Sequence, residues 1–205
     1  MTYPVFETFH SWQGEGEHVG RSAFFIRLYG CPIRCSWCDS AGTWKRDWTG
    51  SRDVRDLDAR TLADAAAAAR PDFVVVTGGE PAIHDLAPLV DALHAKKLRV
   101  HVETCGAFEI RGNVDWVTLS PKPQRPPLAE NWARASEIKL IISEPADIAF
   151  WEARIGPNSV RSIWLHPEWS RRENAEVLDA ISAHVRARGA PFRAGWQTHK
   201  LFGVR

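Results

Sequence analysis

Short apolar runs rich in β-branched and aromatic side chains alternate along this chain with longer stretches whose apolar residues recur at helical spacing. These two periods are the signatures of strands and of amphipathic helices. Residues 22–29 (SAFFIRLY) predict a strand that stops at Gly30. Residues 57–70, with alanine throughout 65–69, predict a helix ended by Pro71. The run 73–77 (FVVVT) predicts a second strand, bounded by Gly78 and Gly79, and 86–97 a second helix. Strands are expected at 99–104 (RVHVET), 116–120 (WVTLS), 137–143 (EIKLIIS) and 162–166 (SIWLH). A helix is expected at 148–155 and a long one at 170–188, followed by an extended tail over 191–204.

Strands alternating with helices imply right-handed crossovers and a parallel sheet. At about 30 residues per strand–helix–strand unit, the chain of 205 residues supplies six or seven strands. A closed eight-fold barrel takes roughly 250 residues. The expected fold is therefore α/β: an open partial (β/α) barrel of about six parallel strands, in a single domain spanning 1–205. In such folds chemistry sits at the C-terminal ends of the strands. There the unusual residues fall. Cys31 follows the first predicted strand, Gly78, Gly79, Glu80 and Pro81 the second, Glu103 closes the third, and Ser120, Pro121 and Lys122 close the fourth.

Composition narrows the class. Lys plus Arg number 26 against 25 Asp plus Glu, so no basic field exists to attract nucleic acid, whatever stacking ten tryptophans offer. No apolar run approaches the ~20 residues of a membrane span. The first residues, MTYPVFETFHSWQGEGEH, are too polar and interrupted for a signal peptide. The expectation is a soluble cytoplasmic protein.

Three of the four cysteines lie in the eight residues CPIRCSWC at 31–38, which argues for metal binding rather than a disulfide framework. The remote Cys105 reads as a small buried side chain. Three soft thiolates suit iron–sulfur clusters or zinc. A cluster held by proteins alone takes four cysteines, so three would leave one iron open to a ligand. A zinc site completed by one of the eight histidines is the alternative on spacing alone.

The spacing C-x3-C-x-aromatic-C, with Trp37 as the aromatic, followed by GGEP at 78–81, resembles the radical S-adenosylmethionine (SAM) superfamily. The run F-x-S-W-Q-G-E-G-x-x-x-G-R from Phe9 to Arg21, QTHK near the C-terminus and the short length resemble, over essentially the whole chain, the 7-carboxy-7-deazaguanine synthase family. That resemblance implies a trimmed radical SAM core, a [4Fe-4S] cluster on Cys31, Cys35 and Cys38, SAM, and Mg2+. It implies conversion of 6-carboxy-5,6,7,8-tetrahydropterin to 7-carboxy-7-deazaguanine by hydrogen abstraction, ring contraction and ammonia loss, in queuosine (7-deazapurine) biosynthesis. A homodimer and an external flavodoxin-like electron donor are implied with it.

Matched residue by residue, the resemblance assigns SAM to Gly78, Gly79 and Glu80, to Ser120, Pro121 and Lys122, and to His166, Pro167, Glu168 and Trp169. It assigns the pterin to Trp12, Gln13, Gly14, Arg27 and Thr77, with Arg27 gripping the carboxylate through paired hydrogen bonds. Glu15 is expected to read the donor-rich edge of the pterin. Ser40 is expected to ligate Mg2+ where the family commonly has threonine, and His166 stands where glutamine is expected. Other roles stay open at these positions. Glu80 suits an N-cap as well as an ammonium, Arg27 between Ile26 and Leu28 suits a strand residue turned to solvent, and His166 suits a buried histidine satisfied by backbone. Two rival functions share the cysteines: a glycyl-radical-enzyme activase, which needs a protein-docking surface, and a non-enzymatic metal module, which needs a fourth protein ligand.

Overall fold

The computed structural model describes residues 1–45, 54–155 and 160–204. One sheet of nine strands organises the chain. In chain order the strands are β1 (Thr2–Trp12), β2 (Ser22–Leu28), β3 (Arg55–Asp58), β4 (Phe73–Gly78), β5 (Val100–Thr104), β6 (Trp116–Leu119), β7 (Glu137–Ile142), β8 (Ile163–Pro167) and β9 (Phe192–Ala194). Their spatial order is β3-β1-β2-β4-β5-β6-β7-β8-β9. Every pair from β2 through to β9 is parallel. The two ends of the sheet are not paired with each other, so the barrel is open, as expected.

The departures have local causes. β1 was not expected, because its polar alternation leaves most of it only half-buried; it pairs antiparallel with β2 and carries β3 on its other edge. The predicted helix at 57–70 begins two residues later as α1 (Ala59–Ala69), because Asp58 caps it, accepting from the Thr61 N–H at 2.9 Å. α2 (Ala87–Ala95) and α4 (Ala146–Ile155) fall where helices were expected, whereas the short α3 (Ala129–Arg134) was hidden behind PKPQRPP. The long helix expected from 170 starts as α5 (Ala175–Arg188), capped by Asn174; a single 3-10 turn at Trp169–Arg171 precedes it. The supposedly extended tail contains β9 and a helical turn, α6 (Thr198–Leu201).

Strand alternation divides the core. Phe24, Ile26, Leu28, Val74, Val76, Val100 and Val102 face α1 and α2, while Ile138, Leu140, Ile142 and Leu165 pack under α4 and α5. The intervening residues point to the concave side, where Ala23, Phe25, Phe73 and Val75 form a smaller cluster with Phe9. Arg27 shares that parity with Ala23 and Phe25. It therefore turns inward, not to solvent.

Candidate active site

The concave side opens at the C-terminal strand ends into a cavity of about 540 Å3. Its wall on one side is the cysteine loop. Gly30, at φ +107°, ends β2 and donates its N–H to the Thr43 carbonyl at 2.7 Å. The GGEP loop is stitched against this loop: Gly79 N–H donates to Leu28 O at 3.0 Å and Glu80 N–H to Gly30 O at 2.8 Å. A Cβ on Gly79 would lie 2.2 Å from Gly30 O and 2.8 Å from Cys31 Cβ. Only glycine permits that approach. Gly79→Ala should therefore separate the two loops and lower cluster occupancy severalfold, read as iron and sulfide per chain.

All three loop thiols are free and line the cavity. Burial pushes the Cys35 and Cys38 thiols up, so they ionise on meeting a metal rather than before it. Among the described residues no three His, Cys, Asp or Glu side chains converge on a point that would hold one ion. Three thiolates on one loop form a donor set that would fit an iron–sulfur cluster. Cys105 is buried, and burial followed by the Glu80 carboxylate pushes its thiol far up.

Glu80 proves to be a cap. Its carboxylate accepts from Ala82 N–H at 3.0 Å, from Thr104 Oγ1 and from Cys105 N–H at 2.7 Å, at the cavity wall. Lys122 Nζ donates to the Ser120 carbonyl at 2.6 Å and to Ser120 Oγ at 2.7 Å, beneath the Trp37 ring at 5.5 Å. Ser120 and Lys122 line the cavity; Pro121 does not. On the far side stand Pro167, Glu168 and Trp169.

His166 stands near the end of β8. It lies behind the wall, 1% exposed, with Gly195 against its ring. Neither ring nitrogen has a hydrogen-bond partner among the described residues, so the backbone does not satisfy it either. Burial pushes it down to about 4, and burial with His18 alongside pushes His101 down to about 3. Both stay neutral in the fold, while in the unfolded chain they take up a proton near pH 6.5. Stability is therefore full above pH 6.5 and falls as pH drops toward 4. His166→Gln should recover on the order of 2 kcal/mol of that loss at pH 5, checked by melting temperature against pH for both proteins.

The opposite wall is polar and tightly paired. Arg27 Nε donates to Glu7 Oε1 at 3.0 Å and Nη1 to Ser40 Oγ at 3.4 Å, above the stacked rings of Phe9 and Phe25. Gln13 Nε2 and Thr77 Oγ1 donate to the two oxygens of Glu103, at 3.0 and 3.1 Å. Glu15 is bonded to Lys139 Nζ at 2.7 Å and to Gln197 Nε2 at 2.9 Å. Burial favours the neutral acid, but the Lys139 ammonium, with the hydrogen bonds from Lys139 and Gln197, outweighs it and holds Glu15 well below the usual carboxylate range. Glu15 and Glu103 both line the cavity, each carboxylate accepting two hydrogen bonds from neighbouring side chains. Trp12 and Gly14 also line the cavity. His199 lies where a Gly14 side chain would project, and Thr198 donates twice to the Gly14 carbonyl.

Sequence reasoning gave no role to Glu7, Lys139, His199 or Lys200, all of them cavity residues. Lys139 had a signal. It is the single charge inside the run IKLII, on the inward parity of β7.

This arrangement defines a radical SAM protein, and a model of the Radical SAM superfamily matches residues 25–122. A 7-carboxy-7-deazaguanine synthase from Synechocystis is 43% identical over 209 residues, covering 100% of this chain and 95% of the relative. One from Flavobacterium psychrophilum is 36% identical, covering 98% and 92%. The crystal structure of QueE from Escherichia coli superposes with a TM-score of 0.82 at 32% identity, covering 97% of this chain and 95% of that one. The chain belongs to the 7-carboxy-7-deazaguanine synthase family, radical SAM enzymes that work with a [4Fe-4S] cluster and SAM.

Proposed function

We propose that this protein converts 6-carboxy-5,6,7,8-tetrahydropterin to 7-carboxy-7-deazaguanine, with ring contraction and release of ammonia, for queuosine biosynthesis. The observation that carries this reading is Arg27, an inward guanidinium in the same cavity as the three cluster thiols. Cluster and SAM, when bound, would supply the radical chemistry, and the residues of the cavity would position the substrate beside them. Cys31, Cys35 and Cys38 hold the cluster. Gly78, Gly79, Glu80, Ser120, Lys122 and the segment Pro167, Glu168, Trp169 surround SAM, with Pro121 setting the turn between its neighbours and His166 supporting that segment from behind. Arg27 binds the substrate carboxylate. Glu103, held by Gln13 and Thr77, accepts from the amino-pyrimidine edge, a task first expected of Glu15. Trp12, Gly14 and Thr77 complete that wall.

Mg2+ belongs to the same proposal. Ser40 Oγ donates to Asp39 Oδ1 at 3.3 Å, while Asp39 Oδ2 accepts from Lys200 and Gln197 at 2.7 and 3.0 Å. Two cations, Arg27 and Lys200, flank this corner. Mg2+ wants octahedral oxygen ligation, so the substrate must bring oxygens with it, and each must strengthen the other's binding. Ser40→Ala should raise the Mg2+ concentration for half-maximal turnover roughly tenfold with cluster content unchanged, measured by titrating Mg2+ into metal-stripped enzyme.

No helix of the described residues is long and apolar enough to cross a membrane. A cytoplasmic site of action, a homodimer and an external flavodoxin-like reductant complete the reading. Its test is ammonia: reconstituted enzyme should release one ammonia per carboxypterin consumed, and consumption without ammonia would reject the ring contraction.

A further inference from the structure

The pairing of β1 with β2 slips by one residue at one place. Val5 lies opposite Leu28, but the next partner of β2, Arg27, faces Glu7 rather than Phe6. In a regular register Phe6 would oppose Arg27, and Glu7 would oppose Ile26 on the helix-covered face. The extra residue turns the Glu7 carboxylate to the concave side, directly across from Arg27. Bulges beside active sites commonly re-aim a side chain in this way. A carboxylate only 13% exposed is costly unless it is paired, and Arg27 is its partner.

We propose that Glu7 is the positioning residue for Arg27, a role that rests on Arg27 binding the substrate carboxylate. A guanidinium has five N–H donors in a rigid fork. Glu7 Oε1 takes the Nε–H at 3.0 Å and Ser40 Oγ takes one Nη1–H at 3.4 Å. The side-on pair, which uses Nε, is thereby closed, and the Nη2 hydrogens with the second hydrogen of Nη1 are left to the ligand. The guanidinium plane is held by its Nε edge and supported by the Phe9 ring, 5.9 Å from Arg27 Cζ. Glu7 so decides which edge of Arg27 meets the substrate.

Two conservative variants separate position from charge. Glu7→Gln keeps the acceptor at the same reach and removes the charge; Glu7→Asp keeps the charge and withdraws the acceptor by one methylene. With cluster-loaded enzyme, Glu7→Asp should raise KM for carboxypterin roughly tenfold or more, since small misplacements of a gripping group are costly. Glu7→Gln should recover most of that loss. Affinity for tetrahydropterin lacking the 6-carboxylate, read by competition, should change less than about twofold in both variants, which a merely structural role would not spare. Equal loss for the carboxylated and uncarboxylated pterins, or a Glu7→Gln variant worse than Glu7→Asp, overturns the proposal. Arg27→Ala distinguishes the layers: if it leaves carboxypterin affinity unchanged, the carboxylate reading itself fails, whereas loss in Arg27→Ala with none in Glu7→Asp rejects only the role of Glu7.

Discussion

Arg27→Ala should abolish carboxypterin turnover and leave SAM binding intact. Arg27 lies on the inward face of β2, and none of its hydrogen-bond partners Glu7 and Ser40 belongs to the GGEP loop. Its removal therefore leaves the SAM wall in place. Losing one partner of a charge-assisted, water-shielded pair costs on the order of 2–5 kcal/mol, roughly thirty-fold to several thousand-fold in affinity. Equilibrium binding of the two ligands, measured separately by calorimetry, checks this. Unchanged carboxypterin affinity would contradict it.

Cys31→Ala, Cys35→Ala and Cys38→Ala should each lose the cluster, and Cys105→Ala should keep close to four irons and four sulfides per chain. The three loop thiols share one segment, whereas Cys105 follows β5, with its backbone N–H on Glu80 and its thiol pushed far up by burial. The open iron is also what SAM requires, so a fourth cysteine would occupy the catalytic position. Iron and sulfide analysis with electron paramagnetic resonance of the reduced protein reads the outcome. Cluster loss in Cys105→Ala would mean that the fourth iron is already ligated by protein.

Much of this was legible in sequence because it depends on local pattern. Each apolar β-branched run became a parallel strand, and the C-terminal strand ends gathered CPIRCSWC, GGEP and SPK at one edge of the sheet. What was illegible depends on register and on distant partners. The orientation of Arg27 follows from its parity with Phe25, which neighbouring Ile26 and Leu28 alone do not decide. The alignment of Glu7 with Arg27 arises from a bulge that no periodicity reveals. Glu15 lines the cavity as expected of a substrate-facing residue, but its pairing with Lys139, 124 positions away in sequence, was not legible. His166 matched a ligand-contacting segment and is buried, whereas Pro167, Glu168 and Trp169 after it line the cavity, a division the sequence does not mark. The helical turn at Thr198–Leu201 exists because Thr198 docks on Gly14, a contact across nearly the whole chain.

The central claim is that one cavity joins a three-cysteine cluster to a carboxypterin. Anaerobic reconstitution followed by incubation with SAM, reductant, Mg2+ and 6-carboxy-5,6,7,8-tetrahydropterin, read by mass spectrometry, tests it most directly. The product should be 7-carboxy-7-deazaguanine, lighter than the substrate by one ammonia, and it should vanish with Cys35→Ala and with Arg27→Ala. Cleavage of SAM to 5′-deoxyadenosine with the carboxypterin left intact would contradict the account.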